Sequence, residues 1–104
     1  MSTLNVTIHH GLGRDEALNR IKSLVTQMEA EFAHEISDVH EEWENDIGTF
    51  GFTARGFDIS GKITVGSSEV VITCSMPFTV FLFKGDKIKS VIQERATALL
   101  SSNH

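Results

Sequence analysis

The sequence predicts an α+β domain in which two amphipathic helices pack on one face of an antiparallel sheet. Three observations predict this fold. Apolar and polar residues alternate in five short segments, which is the pattern of half-buried strands. Two longer segments, residues 14–34 and 78–100, carry apolar residues at helical spacing. Tight turns join the last four alternating segments, so the predicted order is β-α-β-β-β-β-α within a single domain, residues 1–104.

The first strand and the first helix are separated by a short glycine-containing break. Residues 3–9 alternate, with every second side chain apolar, and the Gly11–Gly13 stretch ends this strand. Two carboxylates, Asp15 and Glu16, follow where they complement the dipole of a first helical turn. The apolar stripe of the predicted helix consists of Leu18, Ile21, Val25, Met28 and Phe32. These features predict one helix over roughly residues 14–34.

From Ile36 onwards the hydrophobic period changes to two, and four short strands follow. Turn residues at 45–48, 56–58 and 66–68 separate these strands, which indicates an antiparallel meander. In the last of the four strands, Cys74 shares the inward face with its apolar neighbours two positions away. We therefore expect a buried thiol at this position.

Trp43 lies on the inward face of the second predicted strand. It should pack on the last helix, near Ile88 or Ile92, because that helix needs an apolar surface to cover. Glu41 shares the same strand face, although it is charged. A buried carboxylate needs a partner, so we expect Glu41 at the sheet edge or in a hydrogen bond near Trp43.

The last segment follows Pro77, the only proline in the chain. Proline suits a first helical position because its missing N–H costs nothing there and its fixed φ fits the helix. The stripe expected to face the core is formed by Phe81, Ile88, Ile92 and Leu99. Phe83 projects to the opposite, polar side of such a helix. If residues 78–83 continue as a strand instead, the helix begins later, near Gly85.

The composition is that of an ordinary globular domain. Apolar residues make up 40% of the chain and charged residues 22%, unlike a disordered segment. No apolar run is long enough to form a transmembrane segment, and the N-terminus has no signal-peptide pattern. A single cysteine cannot form an internal disulfide, which fits a reducing compartment. We therefore expect a cytoplasmic protein.

The net charge of −5 is unevenly distributed. Residues 29–46 contain eight carboxylates and no lysine or arginine, whereas residues 77–104 contain four basic and two acidic residues. No basic stripe is present, so the sequence disfavours a nucleic-acid partner. The acidic 29–46 segment either orients a partner or forms a solvated rim.

Several residues together resemble a known family. They are Leu12-Gly13 before a helix that contains Ala17, Trp43 with Asp46, Gly56 with Ile59-Ser60-Gly61-Lys62-Ile63, Val65, Val70 and Pro77. In this combination the chain resembles the polyhydroxyalkanoate-system family, small proteins of polyhydroxyalkanoate granule gene regions. The resemblance covers nearly the whole chain. It implies association with storage-polymer granules, or with their metabolism, in a bacterial cytoplasm, and it brings no catalytic residues.

No residues form a recognisable catalytic or metal site. His9 and His10 are adjacent on a strand and point to opposite faces, so they do not readily share a metal ion. His34 and His40 lie among carboxylates but lack the spacing of a metal motif, which favours a solvated acidic rim. Cys74 has no identifiable base and is expected to be structural. We therefore expect no catalytic residue, no metal and no cofactor.

The strongest functional signal is a hydrophobic interaction surface at the start of the last helix, formed by Phe78, Val80, Leu82 and Phe83. Monomers rarely leave a large contiguous apolar patch in water. Either the chain's own sheet covers this surface or a partner does. The expected partners are a second copy of the chain in a homo-oligomer, which is favoured, and a hydrophobic polymer granule surface or granule proteins.

Two functions of different classes follow. The first is a non-enzymatic granule-associated or assembly protein that uses this apolar surface. The alternative is a small apolar-ligand carrier of helix-grip type, in which a curved sheet and a long C-terminal helix enclose a small cavity. An enzyme acting on acyl thioesters is least favoured, because no acid–base pair is identifiable. Outward Phe78 and Phe83 rings favour docking, and inward rings around a void favour a carrier.

Overall fold

The chain folds into an antiparallel sheet with helices packed on one face. The structure, a computed structural model, describes residues 2–101. Its elements in chain order are β1 (Ser2–His9), α1 (Arg14–Ile21), α2 (Leu24–Glu31), β2 (Ile36–Glu44), β3 (Ile47–Ala54), β4 (Phe57–Val65), β5 (Glu69–Met76) and α3 (Phe78–Leu100). The five strands have the spatial order β1-β5-β4-β3-β2. This arrangement confirms the predicted α+β fold and its antiparallel meander.

Two-residue turns fix the register of the meander. Asn45 and Asp46 join β2 to β3, and Asn45 has a positive φ of 57°. Arg55 and Gly56 join β3 to β4 with φ values of 50° and 89°. Positive φ in such short loops matches the right-handed twist of paired strands, so both turns favour the observed antiparallel pairing.

The core lies between the inner face of the sheet and the helices. In β5 every second residue is buried, from Val70 to Met76, and its neighbours in β1 and β4 follow the same alternation. Cys74 is fully buried on this face, opposite Leu4 of β1, which confirms the inward position predicted for it. From the helices, the core receives Ala17, Ile21, Leu24, Val25, Ile92, Ala96 and Leu100.

The first predicted helix is divided into α1 and α2 by a tight turn at Lys22 and Ser23. The Ser23 hydroxyl and the Ser23 backbone N–H both donate to the Arg20 carbonyl, at 3.0 and 3.3 Å. A serine that bonds locally to the backbone competes with the regular helical ladder, and a bond three residues back tightens the turn. The second helix then ends at Glu31, before the predicted end at residue 34.

The last helix begins at Phe78, so residues 78–83 are helical. Pro77, predicted at the first helical position, is instead the N-cap residue, and its carbonyl accepts the Phe81 N–H at 3.0 Å. Of the predicted core stripe, Ile92 is buried and Ile88 and Leu99 are half-buried, but the prediction for Phe81 is wrong. Phe81 is 36% exposed, and its ring lies over Gly85 of the same helix instead of in the core.

Candidate functional site

An apolar pocket of about 550 Å³ lies between the inner face of the sheet, α2 and the N-terminal half of α3 (residues 78–91). Its lining is almost entirely aliphatic and aromatic. Phe50 and Phe52 of β3 and Ile59 of β4 contribute to the floor, and Met28 of α2 contributes to one wall. This volume is within the range of sites that hold small organic ligands.

A glycine in β4 makes room for a large aromatic ring in the floor of the pocket. Phe50 pairs with Gly61 across the β3–β4 ladder, and a Cβ at Gly61 would lie only 2.4 Å from Cζ of Phe50. The absence of that Cβ lets the Phe50 ring extend over β4. Phe50 and Phe52, two positions apart on the same strand face, stack with ring centroids 6.4 Å apart and planes inclined by 8°. Two parallel aromatic rings therefore form part of the pocket floor.

The second wall of the pocket is one face of the N-terminal half of α3. Its residues recur at the three- and four-residue spacing that places side chains on one side of a helix. They are Thr79, Val80, Phe83, Lys84, Lys87, Ile88 and Val91, with Ile92 at the start of the next turn. Phe83 is 77% exposed while also lining the pocket, so its ring lies at the pocket mouth.

Charged side chains also line the pocket, and they differ in their partners. Glu35 and Arg55 form an ion pair with 3.3 Å between Oε1 and the guanidinium nitrogen. Lys84 and Lys87 are exposed, and neither forms an ion pair or side-chain hydrogen bond with any residue between 2 and 101. The pocket is thus apolar inside and carries an excess of positive charge in its lining.

The predicted interaction surface is divided by the structure. Val80 is half-buried and lines the pocket together with Phe83. Phe78 and Leu82, one helical turn apart, are 62% and 60% exposed and do not line the pocket. The four residues therefore belong to two neighbouring regions, the pocket wall and an outer apolar face formed by Phe78 and Leu82.

Sequence reasoning missed that Lys84 and Lys87 belong to the pocket wall. The signal was the recurrence of basic and apolar residues along one helix face, from Val80 through Lys84 and Lys87 to Val91. That pattern resembles an ordinary amphipathic boundary, and only the tertiary structure shows which surface it faces.

Comparison with known proteins agrees with the sequence pattern. Residues 4–100 match the family described as "Putative polyhydroxyalkanoic acid system protein". The chain belongs to this polyhydroxyalkanoic acid system family. No curated protein matches the sequence.

Three solved structures are similar to this family member at low sequence identity. Norcoclaurine synthase from Thalictrum flavum aligns with 9% identity and a TM-score of 0.47, covering 99% of this chain and 94% of that chain. The di-domain ARO/CYC protein BexL from the BE-7585A biosynthetic pathway aligns with 8% identity and a TM-score of 0.45, covering 99% and 51%. Ara h 8.0201 aligns with 8% identity and a TM-score of 0.41, covering 97% and 99%.

The four histidines within residues 2–101 of this polyhydroxyalkanoic acid system protein are not gathered into a metal site. Residues 2–101 contain no group of three or more His, Cys, Asp or Glu side chains able to hold a metal ion. His10 instead fixes a loop: its Nδ1 accepts the Leu12 N–H at 3.2 Å, and its Nε2 lies 3.1 Å from the Gly66 carbonyl oxygen. With Nδ1 as acceptor, Nε2 carries the proton and donates to Gly66.

Two further predicted residues have defined surroundings. Glu41 accepts a hydrogen bond from Nε1 of Trp43 at 2.9 Å, which confirms the predicted role of Trp43 as its partner. Trp43 lies in β2, as predicted, but its ring packs against Gly48 with the Lys22 ammonium 5.7 Å from its centroid. It therefore meets the turn between α1 and α2, and it does not line the pocket with Ile88 and Ile92.

Cys74 and the acidic segment have structural surroundings. Burial raises the pKa of the Cys74 thiol to about 11, which disfavours the reactive thiolate. In the acidic 29–46 segment, Glu31 is paired with Arg95 of α3, and Asp46 lies 3.8 Å from the Arg14 guanidinium.

No helix within residues 2–101 is long and apolar enough to cross a membrane.

Proposed function

We propose that this polyhydroxyalkanoic acid system protein binds a small apolar molecule in the pocket between α2, α3 and the sheet. The observation that carries the proposal is the pocket itself, with about 550 Å³ of space and a lining dominated by aliphatic and aromatic side chains. An apolar guest is favoured in such a pocket because its binding removes apolar surface from water. The repeating unit of a polyhydroxyalkanoic acid carries an alkyl chain, which is a guest of suitable chemistry.

The expected affinity is modest. Each buried CH₂ contributes roughly 0.8 kcal/mol, so about eight of them contribute roughly 6 kcal/mol before the entropy lost on binding is subtracted. Affinities of tens of micromolar or weaker follow from this estimate. A carrier that exchanges its cargo does not need tighter binding, and neither binding nor exchange requires catalysis. We therefore propose a non-enzymatic protein.

The test is displacement of a neutral fluorescent probe, N-phenyl-1-naphthylamine, by decanol. Ala54→Phe places a ring at a half-buried position that lines the pocket, and the matched control Ala98→Phe places the same ring on the exposed face of α3. We expect Ala54→Phe to weaken probe binding at least about tenfold and Ala98→Phe to leave it unchanged. Circular dichroism verifies that both variants are folded. The proposal is overturned if the wild type shows no saturable probe binding. It is also overturned if Ala54→Phe binds the probe as tightly as the wild type does.

A second function is favoured by the exposure of Phe78 and Leu82 on the outer apolar face. Exposed large apolar side chains that adjoin one another are typical of docking surfaces. We propose that this face docks on a hydrophobic polymer surface, in keeping with the family description, in the bacterial cytoplasm where storage granules lie. Self-association through the same face into a homo-oligomer is the competing outcome.

Adsorption to polyhydroxybutyrate particles, measured by co-sedimentation, tests this second function. The variant is Phe78→Glu/Leu82→Glu, and the matched control Ser90→Glu/Gln93→Glu adds the same charge at exposed positions of the same helix. We expect the first variant to lose adsorption and the control to retain it. Adsorption by Phe78→Glu/Leu82→Glu overturns the proposal. If the wild type does not adsorb but forms oligomers that this variant dissolves, the face is a subunit interface.

A further inference from the structure

We infer that the ligand of the pocket is an amphiphile with an anionic head group, and that Lys84 and Lys87 hold this head at the pocket mouth. The inference rests on the proposed ligand-binding function and specifies the chemical class of the ligand. It begins from the charges of the lining. Glu35 and Arg55 compensate each other, and the two lysines leave a local charge of +2 in a chain whose net charge is −5.

The two lysines lie where a head group would emerge. They are three residues apart on α3, so their side chains leave the helix on the same side. Phe83 and Ile88, which flank them, line the pocket as well, so the apolar wall and the ammonium groups form one continuous surface. A lysine stem packs along apolar surface while its ammonium stays in water. An alkyl chain inside the pocket would therefore have its polar end beside these ammonium groups.

No acidic residue of α3 neutralises this pair. Asp86 and Glu94 are the acidic residues of the helix, and neither lines the pocket. Arg95 is paired with Glu31 and does not line the pocket, and Arg55 is paired with Glu35. Among the cations that line the pocket, Lys84 and Lys87 are thus free to meet an anion from the ligand. Electrostatic attraction of this kind selects a partner by its charge.

The expected effect is limited because the ammonium groups are exposed. Exposed ion pairs contribute little individually, and two of them favour an anionic head over a neutral head of equal chain length by about tenfold. High salt screens the attraction and reduces the preference. The apolar part of the ligand is bound by the pocket in both cases, so its contribution is unaffected.

The experiment compares decanoate, decyl phosphate and decanol as displacers of N-phenyl-1-naphthylamine at low salt and at about 0.5 M salt. The variant is Lys84→Gln/Lys87→Gln. The matched control, Lys62→Gln/Lys89→Gln, removes the same charge at two exposed positions that do not line the pocket. We expect the wild type and the control to bind decanoate about tenfold more tightly than decanol. The Lys84→Gln/Lys87→Gln protein should lose this preference and bind decanoate and decanol with equal affinity.

The possible results distinguish failure of the head-group inference from failure of the proposed ligand-binding function. If decanol displaces the probe but the anions bind no better, or if the preference survives in Lys84→Gln/Lys87→Gln, the head-group inference is overturned and the pocket function stands. If none of the three compounds displaces the probe, the pocket function itself fails. When the preference is present, the tighter of decanoate and decyl phosphate identifies the head group as carboxylate or phosphate, and equal binding identifies recognition by charge alone.

Discussion

The two halves of α3 are built for different tasks. In the C-terminal half (residues 92–100), Ile92, Ala96 and Leu100 recur every four residues and are buried in the core. In the N-terminal half, Gly85 alone is buried, although this half holds all three phenylalanines of the helix. The half with the larger apolar side chains is therefore the half that buries less of them. The C-terminal half anchors the helix in the core, and the N-terminal half forms one wall of the pocket.

The comparison shows that hydrophobicity alone does not locate the core. A fully buried leucine or phenylalanine contributes about 1.5–3 kcal/mol relative to an exposed one. The chain forgoes part of this free energy at Phe78, Leu82 and Phe83, which are all at least 60% exposed. The buried contacts of α3 are made instead by Ile92, Ala96 and Leu100 of its C-terminal half. The exposed side chains are consequently available for a ligand or for a hydrophobic surface.

The largest effect expected from this comparison comes from truncating the same residue type in each half. Leu100→Ala removes a side chain that is 4% exposed, and Leu82→Ala removes one that is 60% exposed. We expect a loss of roughly 3–4 kcal/mol in the free energy of unfolding for Leu100→Ala and less than about 0.5 kcal/mol for Leu82→Ala. Urea unfolding measures both. Equal losses in the two variants would contradict the division of α3 into anchor and wall.

A slightly smaller change in the free energy of unfolding is expected when the pH is raised, because the Cys74 thiol is buried in the core. Burial raises the pKa of Cys74 from 9.0 to about 11, so the folded state holds the thiol proton more tightly than the unfolded state. Its contribution to stability is fully present below about pH 9 and is lost as the pH rises towards about 11. The loss amounts to about 3 kcal/mol for a shift of this size.

Urea unfolding across this alkaline range measures the thiol's contribution, with Cys74→Ala as the control. The control should be less stable below pH 9 because of the missing packing, but its stability should decline less steeply at higher pH. Parallel declines of the two proteins would show that Cys74 is not held in a closed core.

The smallest effect is expected at the ion pair between Glu31 of α2 and Arg95 of α3, which joins α2 to the anchoring half of the helix. Both side chains are more than a third exposed, so water screens their attraction. We expect a coupling energy below about 1 kcal/mol from a double-mutant cycle of Glu31→Gln and Arg95→Gln, decreasing at high salt. Glu29→Gln, at an exposed position of the same helix, controls for the change in net charge. A coupling of several kcal/mol would mean that this pair, rather than apolar packing, holds α2 against α3.

The sequence by itself determined the elements of this protein and their order. The alternation from Val70 to Met76 predicted a strand with Cys74 inward, and the turn residues at 45–48, 56–58 and 66–68 predicted the hairpins, although Ile47 and Phe57 already belong to strands. These features are readable because the period of a strand and the φ values of a two-residue turn depend on neighbouring residues only. The family predicted from the pattern of glycines, Trp43 and Pro77 is confirmed over residues 4–100.

Only the tertiary structure decided what each helix face meets. The break at Ser23, the exposure of Phe81 and the place of Lys84 and Lys87 in the pocket wall all escaped the sequence. An amphipathic stripe indicates that a face is apolar, but it contains no information about the distance from that face to the sheet. Which helix residues face the pocket depends on where α2 and α3 lie over the sheet, and the floor of the pocket depends on the Phe50 ring extending over Gly61 of the neighbouring strand. These contacts join residues far apart in the chain, so the periodicity of the sequence does not reveal them.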